Sequence, residues 1–123
     1  MTGKNGYDLM HYEIKGDGRV IILLHGMSTS HKDWRLLWPG LVKAGYRIIL
    51  ADLLGHGDSA KPAEARLYTT KAVFAVLADW IDYLALTEPF SLIGHSLGGY
   101  MSLMYALRFP QRVDKMILLN PLY

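Results

Sequence analysis

Four short runs of almost unbroken apolar residues punctuate the chain, at positions 20–24, 48–51, 90–93 and 116–119. A strand covered on one side only would alternate apolar and polar residues, and these runs leave no position for a solvent-facing side chain. They predict parallel strands buried on both faces, with helices crossing between them. Ahead of the first run, Met10, Tyr12 and Ile14 do alternate with polar residues, and Gly16-Asp17-Gly18 supplies turn chemistry. That pattern predicts an antiparallel hairpin at the sheet edge.

Between the runs the apolar spacing becomes helical. Over 70–84, Val73, Leu77, Trp80, Ile81 and Leu84 fall on one stripe, which predicts an amphipathic helix. An earlier helix is expected from Ser30, whose hydroxyl can cap free amides, to Gly45, with Pro39 kinking or dividing it. A third follows Ser96 directly and ends by Phe109, because Pro110 disfavours helical backbone in the residue before it. The fold class is α/β, a mostly parallel sheet with helices on both faces and an edge hairpin. Residues 55–66 form the one sizeable loop, and no linker or repeat divides 1–123 into smaller units.

Composition narrows the chemistry. The net charge is +2, and lysines and arginines are scattered among acidic residues, so neither nucleic acid nor an anionic membrane is an expected partner. No run approaches membrane-spanning length, and residues 1–6 lack the apolar stretch of a secretory leader, so a cytoplasmic location is expected. The lack of cysteine removes disulfides, thiolate metal sites and a cysteine nucleophile. Serine, threonine or carboxylate chemistry remains.

Serine chemistry has a well-placed candidate. Residues 90–99, Phe-Ser-Leu-Ile-Gly-His-Ser-Leu-Gly-Gly, run from a predicted strand through Gly-x-Ser-x-Gly into a predicted helix. A serine on so tight a turn is thrust out beyond the sheet, its backbone is held at positive φ, and its neighbours two residues away must be small. Gly94 and Gly98 meet that demand, and the helix after Ser96 turns free amides and its positive dipole end toward any anion forming there. The first strand ends in His25-Gly26-Met27, and the second runs into Asp52-Leu53-Leu54-Gly55-His56-Gly57-Asp58-Ser59.

Together these segments resemble the α/β-hydrolase fold family. The resemblance implies Ser96 as nucleophile and the backbone amides of Met27 and Leu97 as an oxyanion hole, with Gly94, His95, Gly98, His25 and Gly26 shaping the elbow and the adjoining loop. Related dehalogenases and epoxide hydrolases carry aspartate at the nucleophile position. Serine there implies acyl chemistry: an esterase, lipase, thioesterase or carbon-carbon bond hydrolase acting on a small acyl or ester substrate. No cofactor and no metal is implied.

In the family the acid and the histidine follow the serine, so Asp52 and His56, which precede Ser96, are expected to shape their loop. His95 is expected to be packed, His11 and His31 to lie at the surface or an edge, and Trp34, Trp38 and Trp80 to belong to the core. Gly55-x-Gly57-x-x-Ala60 matches a loose dinucleotide fingerprint, but Lys61-Pro62-Ala63 opens no convincing helix to hold a pyrophosphate. Asn120 occupies the family's alternative position for the acid. The chain therefore resembles the N-terminal part of one such domain, without its cap, later strands, acid or base. Alone it is expected to hydrolyse esters weakly or not at all, and to need a second chain or a homo-oligomer to cover its open strand. A non-catalytic module for binding or interaction, with Ser96 kept only as structure, stays open as the alternative.

Overall fold

A computed structural model describes residues 6–120; most of the N-terminal segment considered as a secretory leader, residues 1–5, lies outside this range, as do residues 121–123. Five strands form one sheet: β1 (Tyr12–Lys15), β2 (Arg19–Leu24), β3 (Tyr46–Ala51), β4 (Phe90–His95) and β5 (Val113–Leu119). Their order is β1-β3-β2-β4-β5, and β3, β2, β4 and β5 are mutually parallel. Each apolar run became a strand reaching beyond it, because the backbone ladder continues through Arg19, Arg47 and Gly94 whatever their side chains.

The edge strand is antiparallel as expected, but its partner corrects the hairpin expectation. β1 pairs with β3, Tyr12 opposite Ala51 and Lys15 opposite Ile48, while both sides of β2 are taken by β3 and β4. A Cβ on Gly18 would lie 2.1 Å from the Gly45 carbonyl oxygen. The turn therefore crosses the start of β3 and sets β2 down on its far side.

Three helices flank the sheet: α1 (Trp38–Lys43), α2 (Thr70–Tyr83) and α3 (Leu97–Arg108). The helix expected from Ser30 is divided. Ser30 caps a 3-10 turn over His31–Trp34, its hydroxyl accepting from the Lys32 amide, and Pro39 starts α1 within its first turn, where a missing N–H costs nothing. Thr69 caps α2 by accepting from the Ala72 amide at 3.1 Å.

Successive residues of β2 feed two separate cores. Ile22 and Leu24 pack with Ile49, Leu77, Trp80, Met101 and Tyr105 under α2 and α3, whereas Ile21 and Leu23 pack with Trp34, Ile48, Leu50 and Trp38 under the 3-10 turn and α1. This two-sided burial explains why the runs showed no alternation. α1 is short, and at β5 the second face is open, leaving Ile117 53 % and Leu119 43 % exposed. No helix among the described residues is long and apolar enough to cross a membrane.

Candidate active site

β4 ends at His95 and α3 begins at Leu97, so one residue must reverse the chain. Ser96 does this at φ 55° and ψ −115°, a region that side-chain-bearing residues avoid. The surroundings hold it there: its N–H donates to the Leu119 carbonyl and its carbonyl accepts from the Tyr100 amide, both at 3.0 Å. The helix arrives backbone against backbone. A Cβ on Gly94 would lie 2.3 Å from the Gly98 carbonyl oxygen, and one on Gly98 would lie 2.0 Å from that of Leu24. Ser96 is half-buried and makes no capping bond, so its hydroxyl is left without a hydrogen-bond partner among the described residues.

The turn after β2 lies against this elbow. A Cβ built on Gly26 would stand 3.2 Å from the Ser96 Cβ and 2.8 Å from His95 Nδ1. His25 fixes the turn from beneath: its Nδ1–H donates to the Gly26 carbonyl at 2.6 Å, and its Nε2 accepts from the Leu53 amide at 2.9 Å. Both bonds suit the neutral ring protonated on Nδ1. Burial depresses the pKa of His25, and the bond to the Gly26 carbonyl opposes that effect without cancelling it. Thr29 donates its hydroxyl to the same carbonyl at 2.8 Å. Met27 follows, its side chain exposed and its amide without a backbone acceptor among the described residues; Leu97 sits at the first helical position, where no intrahelical acceptor exists.

Asp52 leaves β3 fully buried and organises the neighbouring loop. Its carboxylate accepts from the His31 amide at 2.7 Å, from His31 Nδ1 at 2.8 Å and from the Asp58 amide at 3.0 Å. Burial alone would raise its pKa, but the two amides and the imidazole outweigh burial and hold the carboxyl below the usual range. His56 donates its Nδ1–H to the Leu54 carbonyl at 3.0 Å, and its ring packs beside His25. None of the five histidines is hydrogen-bonded to Ser96 among the described residues.

One placement corrects the sequence reading. His31, expected at the surface or an edge, is 6 % exposed, because Asp52 draws its ring inward from the end of β2. Thr29 and Glu13, which buttress the site and its flank, carried no local signal: Thr29 reaches back three residues to the Gly26 carbonyl, and Glu13 meets His31 only through the strand order. Trp34 and Trp80 lie in the core, and Trp38 packs against it.

The alpha/beta hydrolase fold family profile matches residues 19–122. Mouse bifunctional epoxide hydrolase 2 is 33 % identical over 98 % of this chain and 21 % of its own length. A 2-hydroxy-6-oxo-6-phenylhexa-2,4-dienoate hydrolase of Comamonas testosteroni is 34 % identical over 92 % of this chain and 40 % of its own. Among solved structures, the haloalkane dehalogenase DatA of Agrobacterium tumefaciens C58 superposes with a TM-score of 0.84 at 32 % identity, over 91 % of this chain and 37 % of that one. The chain thus spans less than half the length of each of these relatives.

Proposed function

The chain belongs to the α/β-hydrolase fold family, and from that membership we propose that Ser96 is the nucleophile of a hydrolase acting on carboxylic esters or related acyl compounds. In this reading the Ser96 hydroxyl attacks an acyl carbonyl carbon, and the amides of Met27 and Leu97 receive the oxyanion that forms. The observation that carries it is the backbone of Ser96 at φ 55° and ψ −115°, set against Gly26 at the end of the sheet. Strain of this kind is kept where it orients a reacting group.

The identity of the nucleophile argues for acyl substrates over those named for the epoxide hydrolase and dehalogenase relatives. Serine attacking an epoxide or alkyl halide would leave an ether, which water does not cleave under mild conditions. Attack on an acyl group leaves an ester, which a second hydrolytic step releases.

The general base is a histidine from outside these residues. His25 and His56 engage ring nitrogens with the backbone, His11 and His31 are turned to the carboxylates of Glu13, Asp52 and Asp58, and His95 rests on Gly26. Further polypeptide, from this chain, a second chain or another copy, would supply that base and cover Ile117 and Leu119.

The test is a serine-reactive fluorophosphonate probe together with p-nitrophenyl ester turnover by the full-length protein. The expected result is labelling at Ser96, with labelling lost and turnover reduced about a thousandfold or more in Ser96→Ala. Epoxide opening that survives Ser96→Ala would refute the reading, and no labelling of the full-length protein would refute it and favour the non-catalytic module.

A further inference from the structure

The carboxyl ends of β2 and β3 meet the start of β1 in a cluster that the proposed hydrolysis does not use. One donor atom from each of His11, His31, Asp52 and Asp58 lies within 4.8 Å of the others, and Glu13 Oε2 stands 3.5 Å from His11 Nε2 and 3.2 Å from His31 Nε2. Asp58 Oδ2 adds a contact to His11 Nε2 at 3.8 Å.

The contacts on the two ring nitrogens of His31 decide what this cluster can hold. Asp52 accepts from its Nδ1, so the neutral ring turns the lone pair of Nε2 toward Glu13 Oε2, and two acceptors face each other across 3.2 Å. A cation must lie between them, either a proton or a metal ion. The second imidazole favours the metal. His11 Nε2 converges on the same Glu13 oxygen, and its distance to Asp58 is too long for a hydrogen bond. Ligands about 2.1 Å from a tetrahedral ion stand about 3.4 Å apart, close to the 3.2 Å between His31 and Glu13, the 3.5 Å between His11 and Glu13 and the 3.8 Å between His11 and Asp58. The two rings are tilted by 52° with centroids 5.3 Å apart, so that neither blocks the other.

We propose that His11 and His31, with carboxylate oxygens of Glu13 and Asp58, bind a divalent transition-metal ion of the zinc class. Asp52 is the partner behind it: buried and bonded to the Nδ1–H of His31, it fixes the tautomer and aims Nε2 outward, as carboxylates behind metal-bound imidazoles do. Mixed imidazole and carboxylate donors suit zinc, cobalt or nickel better than calcium or magnesium. Asp58 is exposed, which gives the ion an entry path, and the ion would tie edge strand β1 to the loops that follow β2 and β3.

The experiment is calorimetric titration of Zn2+ into chelator-treated full-length protein, with Co2+ absorption in the visible range as a second readout. One ion per chain binding at micromolar concentration or tighter, with tetrahedral Co2+ bands, is expected. His11→Ala should weaken binding about tenfold or more, since it removes one ligand and leaves the Asp52–His31 pair intact. His11 is partly exposed, so far-UV circular dichroism should show that variant folded, and Ser96→Ala should bind as the unaltered protein does. Binding no tighter than millimolar, or equal binding by His11→Ala, would overturn the proposal and leave a proton as the bridging cation.

Discussion

Replacing Ser96 by glycine should make the protein more stable than replacing it by alanine, which reverses the usual order for a residue at the edge of a helix. A side-chain-bearing residue held at φ 55° and ψ −115° costs about 1–3 kcal/mol, and alanine keeps that strain while glycine releases it. Against this, glycine loses about 0.5–1 kcal/mol relative to alanine through the greater freedom of the unfolded chain. The hydroxyl makes no capping bond, so its removal is common to both variants and cancels between them. The balance favours Ser96→Gly by about 1 kcal/mol. Urea unfolding at neutral pH would show this as a midpoint about 0.3–1 M higher, for slopes of about 1–3 kcal/mol/M. If Ser96→Gly unfolds at the same urea concentration as Ser96→Ala, or lower, the turn is not strained and the elbow argument fails.

Two other outcomes test the supports of the site. Gly98→Ala should destabilise by at least about 1–3 kcal/mol and lose probe labelling together with stability, because its methyl meets the Leu24 and His25 carbonyl oxygens at 2.0 and 2.5 Å and nothing there is a flexible side chain; urea midpoints and labelling rates measure both, and a neutral effect would refute the close contact. Acidification should destabilise in two stages. Folded His25 and Asp52 each bind fewer protons than their unfolded counterparts, so stability should fall below about pH 6.5 as unfolded His25 takes up its proton, and again below about pH 4 as Asp52 is protonated. Midpoints that rise between pH 7 and 5.5 would reverse the sign.

The central parallel strands were legible because both faces of β2, β3 and β4 are buried, so the sequence could show only apolar runs. Ser96 was legible because a strand-to-helix turn needs small neighbours on both sides; Gly94 answers to Gly98 close along the chain, while the demand on Gly98 comes from distant Leu24. The pairing of β1 was not, since alternation at Tyr12 and Ile14 identifies a half-covered strand without naming its neighbour. His31 was misread for a related reason. A lone histidine seven residues ahead of the Pro-containing helix α1 has no local cue to burial; its partner Asp52 is distant in sequence and arrives only when β2 and β3 pair. What the sequence hid was the consequence of strand order, and both the edge strand and the histidine cluster depend on it.

That strand order also sets how the protein must assemble. Of the five strands β1 is made before the others and has no partner until Ile48 to Ala51 follow, and β2, central in the sheet, waits for Ser91 to Gly94 before its second side is closed. Every long loop must close before the ladder rewards it, so folding should be slow for a chain of this size, with β2 and its apolar flanks exposed to aggregation in the interval. Expression at low temperature or with chaperones addresses that interval directly.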